Sequence, residues 1–193
     1  MEKYYLFLSN KPIKKNIFLA ALEGFGIEKE MVNFTNESSG EIIYDETLFP
    51  FIESLIHAMR EDLGVSFSIL VASYKDEFMM KLLKEAVEYF PNQCLYPSDV
   101  IMKQMSFGDY SSLPFLKNMF IKVPSFLMLT AGEYLRCGLD ASLASKALFI
   151  HRNTFIYRLN QFIEITKLDI RDYHNALLLE LFFQLSNTSY KQY

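Results

Sequence analysis

The stretch "KALFIHRNTFIYRLN", residues 146–160, runs from an apolar patch through a polar tetrad, His151-Arg152-Asn153-Thr154, into a helical pattern carrying Tyr157 and Arg158. A short helix, a tight break and a second helix that starts polar is how helix-turn-helix proteins set a recognition helix into the major groove. In that reading Arg152 and Arg158 pair with phosphate or guanine edges, Asn153 reads adenine or caps the helix, and Thr154 and Tyr157 donate to phosphate oxygens. Ser142, Ser145 and Lys146 on the preceding helix are further candidates for phosphate contacts, and His151 is either a cap or a DNA-facing residue. The other face of the second helix carries Phe155, Leu159, Phe162 and Ile163, an apolar stripe expected to pack against Leu143, Ala144, Ala147 and Leu148. On spacing alone the tetrad suits a plain cap and turn with solvated arginines equally well.

Charge sharpens the picture around this segment. The chain has 193 residues and a formal net charge of −4, which argues against a surface that coats nucleic acid throughout but leaves room for a local basic face. Between residues 141 and 167, Lys146, Arg152, Arg158 and Lys167 stand against Glu164 alone, a balance of +3. The excess acid lies in the first 125 residues.

A hydrophobic content of 51% supplies ample core for one large domain or two small ones. Cys94 and Cys137 are far apart and lack a Cys-x-x-Cys or Cys/His setting, so they read as reduced, buried thiols and not as a metal or redox pair. The first residues do not match a signal peptide, and the apolar runs are too short to span a bilayer, so a cytoplasmic chain without membrane attachment is expected.

Along the chain, "YYLFLS" reads as a buried strand and "NIFLAALEGFG" as a helix stopped by glycines. Residues 31–35 and 41–45 form two β-prone runs around Asn36-Glu37-Ser38-Ser39-Gly40, a hairpin-like punctuation. Apolar residues at 48, 51, 52, 55, 56, 59 and 63 line one helical face closed by Gly64. "VSFSILVAS" is then a strand and "KDEFMMKLLKEAVEYF" an amphipathic helix. The order β-α-β-β-α-β-α predicts an α+β sandwich with helices on one face of a small sheet. Residues 91–124 read as a connector with one or two short helices, and the remainder as all-α. The expected organisation is an α+β domain over 1–124 followed by a helical domain over 125–193.

Several motifs of the second part occur together: Tyr134-Leu135 near the end of a lead helix, Ala147-Leu148-Phe149 before the turn, His151-Arg152-Asn153-Thr154 followed by Tyr157-Arg158-Leu159, and Lys167-Leu168-Asp169-Ile170 before a closing apolar helix. With them, residues 129–185 resemble the C-terminal helix-turn-helix domain of the PucR/CdaR family of bacterial transcriptional regulators. The resemblance implies a homodimer that binds double-stranded DNA, with its input, such as a small-molecule effector, coming from the N-terminal portion. In larger members that portion resembles a degenerate GGDEF domain, a nucleotide-cyclase fold, and residues 1–90 have a compatible element order. The paired glycines and metal-binding carboxylates of a working cyclase turn are replaced here by Asn36-Glu37-Ser38-Ser39-Gly40. Glu37 and Glu41 flank that turn without a second acidic site, so a non-enzymatic chain with no cofactor and no metal is expected. The alternative is an adaptor that keeps the fold without binding DNA and pairs with another regulator, in line with the acidic first half. The last helix, "NALLLELFFQL", is apolar on nearly every side and is expected to be central to its domain, to supply a dimer contact, or both.

Overall fold

The computed structural model describes residues 3–44 and 49–186. Two compact units divide between Ser106 and Phe107. In the first, β1 (Lys3–Ser9), β2 (Val32–Phe34), β3 (Ser39–Tyr44), β4 (Phe67–Ala72) and β5 (Cys94–Leu95) form a sheet ordered β2-β3-β1-β4-β5. Antiparallel pairing holds throughout, except that β5 runs parallel to β4. Helices α1 (Lys15–Gly24) and α2 (Phe49–Leu63) complete a β-α-β-β-α-β core of the ferredoxin-like kind. The sheet ends on strands of three and two residues, short enough to offer little edge for unwanted pairing. Asp45 and Leu48, which the sequence reading places in a strand and on a helical face, lie outside the described residues.

Strand alternation sorts the first unit's core into two layers. Tyr5 and Phe7 of β1, Ile42 of β3, and Phe67, Ile69 and Val71 of β4 share one cluster with Phe18 and Leu22 of α1 and Ile52, Leu55, Ile56 and Met59 of α2. The alternate residues Leu6, Leu70 and Ala72 are buried as well. They are covered from the opposite side, where α3 (Glu77–Tyr89) packs on β1 and β4 and α4 (Pro97–Ser106) packs on α3. Helices therefore lie on both faces of the sheet, and the expected one-faced sandwich is corrected. The reason is that β4 is buried along its whole length, so a single helical layer would leave half its side chains in water.

The hairpin forms with a shorter loop than its punctuation suggests, because Ser39 and Gly40 already belong to β3. Phe34 and Phe7 both lie in register with Gly40, and the Asn36 side chain accepts from the Ser38 N–H at 2.7 Å to turn the chain. A Cβ at Gly40 would meet the Asn33 carbonyl at 2.3 Å and the Phe7 ring at 2.5 Å. This glycine is there to let two phenyl rings close over a strand.

The second unit is helical: α5 (Leu113–Phe120), α6 (Ser125–Arg136), α7 (Ala141–Ala147), α8 (Arg152–Thr166) and α9 (Tyr173–Leu185). Phe120 of α5 stacks on Phe162 at 6.2 Å and meets Phe182 at 4.6 Å. Residues 107–124 therefore belong with the helices that follow, whereas sequence punctuation alone suggests a boundary near 124. Leu178, Leu179, Leu181, Phe182 and Phe183 of α9 are buried, and the helix packs on α5 and α6.

Candidate nucleic-acid interface

Three local devices build the α7-turn-α8 pair. Asp140 starts α7, its carboxylate accepting from the N–H groups of Ser142 at 2.7 Å and Leu143 at 3.0 Å. Those two bonds, helped by Lys146 and Arg152, hold the Asp140 carboxyl below its usual range against a smaller desolvation effect. His151 starts α8, where its Nδ1 accepts from the Asn153 N–H at 3.2 Å. That bond identifies His151 as the helix cap, with Nδ1 as the unprotonated ring nitrogen. Asn153, the other capping candidate, is freed for another role. At the far end α8 stops on Lys167, whose left-handed backbone lets its N–H reach the Ile163 carbonyl at 2.8 Å.

Packing then fixes which face looks outward. Phe155, Leu159, Phe162 and Ile163 are buried as their spacing predicts, with Phe155 against Tyr134 of α6 at 5.9 Å. The facing stripe on α7 differs from expectation. Ala144 and Ser145 point inward, while Leu143 is 54% exposed and Ala147 is exposed too. Helical geometry puts 141, 144, 145 and 148 on one side, one position out of step with the predicted set. Ser145 consequently leaves the list of phosphate-contact candidates: it is 4% exposed and its hydroxyl donates to the Ser142 carbonyl at 3.0 Å.

The remaining candidates gather on the outer face. Ser142 and Lys146 of α7 are exposed, as are His151, Arg152, Asn153, Thr154 and Tyr157 at the start of α8. The Tyr157 hydroxyl accepts from Gln161 one turn on, at 3.2 Å. Arg158 stands apart: it is half-buried, and its guanidinium lies 5.4 Å from the centre of the Phe126 ring of α6. It sits at the border between the core and the polar face, held by a cation–π contact.

Behind this face, Asp169 clamps Arg171 through two bonds, Nε to Oδ1 at 2.7 Å and a terminal nitrogen to Oδ2 at 2.6 Å. Burial works to raise the Asp169 carboxyl, but the Arg171 hydrogen bonds and charge outweigh it and the net shift is downward. Asn175 donates to the Asp169 carbonyl at 3.1 Å, tying the α8–α9 loop to α9.

Cys94 and Cys137 are half-buried, more open than expected. Burial and the Glu133 carboxylate push the Cys137 thiol up, away from the nucleophilic thiolate. Glu41, beside the hairpin turn, pairs with Lys75 at 2.7 Å. Among the described residues no cluster of His, Cys, Asp and Glu is placed to hold a metal ion, and no helix is long and apolar enough to cross a membrane.

Residues 127–185 match the PucR C-terminal helix-turn-helix domain. The C-terminal unit carries a PucR-type helix-turn-helix domain. Over 59 residues the chain is 44% identical to the carbohydrate diacid regulator of Escherichia coli (strain K12), a match spanning 31% of this chain and 15% of that protein. A crystal structure of a regulator of polyketide synthase expression from Bifidobacterium adolescentis aligns over 97% of this chain and 81% of its own, at 17% identity and a TM-score of 0.47. In the PucR-type domain the polar tetrad is thus a helix start and a continuous exposed surface together. Phe149, to which the sequence analysis assigns no face, is 96% exposed. The available signal is its position just past the end of α7, where helices commonly close on a left-handed residue.

Proposed function

We propose that the protein is a sequence-specific transcriptional regulator that binds double-stranded DNA as a homodimer, with α8 entering the major groove. One observation carries this reading. Lys146 near the end of α7 and His151, Arg152, Asn153, Thr154 and Tyr157 in the first turns of α8 are all exposed, while Phe155, Leu159, Phe162 and Ile163 of α8 are buried in the core. The helix start adds the positive end of its dipole to those side chains, which favours phosphate. The PucR-type domain and its likeness to a carbohydrate diacid regulator support the regulatory role. Two copies are inferred because one short recognition helix reads too few base pairs, and two-fold symmetry doubles the site.

For the first unit we infer a sensory or dimerising module of degenerate GGDEF type. Its β-α-β-β-α-β core and the position of the β2–β3 hairpin support that reading, as does the pairing of Glu41 with Lys75 in place of a free carboxylate at the turn.

The test is selection of duplexes from a random library by the full chain, repeated with Arg152→Ala, with circular dichroism to establish that both proteins fold. A two-fold symmetric site enriched by the wild type and lost in the variant is the expected result. A folded wild type that enriches no sequence, at low salt as well as moderate salt, would replace this reading with that of an adaptor pairing with another regulator.

A further inference from the structure

The end of α7 carries a feature that chain stability does not account for. The Ile150 N–H donates to the Ser145 carbonyl at 3.0 Å and the Phe149 N–H to the Lys146 carbonyl at 3.1 Å, with Phe149 left-handed at φ +53°. This pair of bonds is the Schellman helix ending, and its left-handed position favours glycine because a Cβ there crowds the backbone. Among the described residues, α1 and α6 end in the same way, with glycine at that place in both. After α1, Gly26 (φ +78°) donates to Glu23 and Ile27 to Leu22; after α6, Gly138 (φ +64°) donates to Leu135 and Leu139 to Tyr134. At α7 the equivalent place holds a phenylalanine that is 96% exposed. Its ring strains the backbone and gains no burial in return.

We propose that Phe149 is a DNA-contacting residue that packs its ring on a thymine methyl group at the edge of the site bound by α8. The inference rests on the DNA-binding reading above. In the major groove the thymine C5-methyl is the apolar feature available to such a side chain. Charge selects this occupant over a second protein copy. Phe149 lies between the exposed cations Lys146 and Arg152. A two-fold contact through this patch would bring like cations together, whereas DNA neutralises them.

The test uses the full chain, a duplex it binds, and a set of duplexes in which each thymine in turn is replaced by dU, which deletes only the methyl group. The variants are Phe149→Asn and Phe149→Gly, both tolerant of a left-handed backbone. One dU position weakens wild-type binding about fourfold, the effect of one buried methyl group, and leaves the variants unaffected. Both variants bind the unmodified duplex more weakly yet melt no lower than the wild type. Variants that keep wild-type affinity and the wild-type dU pattern overturn the inference. So does a variant that binds more weakly while keeping that pattern, or one that melts lower, since the ring would then be structural. Absence of DNA binding by folded wild type overturns both this inference and the reading beneath it, and is told apart by requiring no variant.

Discussion

Replacing Gly40 with alanine tests whether the hairpin glycine serves packing. The added Cβ would sit 2.3 Å from the Asn33 carbonyl oxygen, 2.5 Å from the Phe7 ring and 3.0 Å from the Phe34 Cα. Two of these neighbours are backbone atoms of the paired strand and cannot rotate away. The third belongs to a ring wedged at 4.8 Å from Phe18 and 5.5 Å from Phe34, with Phe18 in turn against Phe67 at 6.2 Å. Overpacking of this kind costs about 1–3 kcal/mol where side chains can shift, and a backbone clash places Gly40→Ala at the upper end, about 3 kcal/mol. For a unit of this size each kcal/mol moves the midpoint by about 4–8 °C, so a fall of at least about 12 °C is expected. Thermal melts by far-ultraviolet circular dichroism read it directly. The control is Gly24→Ala at the end of α1, where a Cβ meets nothing within 4 Å; it is expected to leave the melt unchanged or raise it by the few tenths to about 1 kcal/mol that alanine gains over glycine in a helix. A Gly40→Ala protein melting within 2 °C of the wild type would refute the packing argument and reopen the turn to a ligand-binding role.

Three further outcomes are expected. Arg152→Ala removes one exposed cation per protomer from the proposed DNA face, two per dimer, so the slope of log affinity against log salt should flatten by about 1.8; fluorescence anisotropy across a salt series measures it, and an unchanged slope would exclude Arg152 from phosphate contact. Asp140, whose carboxyl is held low in the folded state, stabilises above its unfolded value near pH 4 and loses that contribution as pH falls through its lower folded value. Asp140→Asn keeps a capping oxygen without the charge, so its melting temperature should fall less than that of the wild type between pH 5 and pH 3, and parallel curves would contradict the capping argument. Phe162→Ala removes a fully buried ring stacked on Phe120 and should cost about 3–5 kcal/mol; chemical denaturation giving less than 1 kcal/mol would mean that α5 does not depend on that ring.

The two faces of α8 are legible in the sequence. Phe155, Leu159, Phe162 and Ile163 recur at helical spacing, and the residues between them are polar, so one face had to be buried and the other wet. That inference needs only local geometry. The partner face on α7 did not follow, because α7 is two turns long and a one-residue change of phase exchanges Ser145 for Leu143 at the core. Likewise His151 and Asn153 are equivalent capping candidates by type, and only the 3.2 Å bond to His151 Nδ1 chooses between them.

The sequence by itself determined β1 to β4 and α1 to α3, a hairpin near residues 35–40, the helical character of the second unit and the polar start of α8. Each of these is a matter of period, turn residues or a cap acting over a few positions. Tertiary structure decided that β4 is covered on both faces, that a two-residue β5 extends the sheet, that Phe120 brings α5 into the second unit, and that Phe149 points into solvent. Those features depend on which distant surfaces remove apolar area from water, and an apolar residue carries no local mark of whether such a surface will be there to meet it.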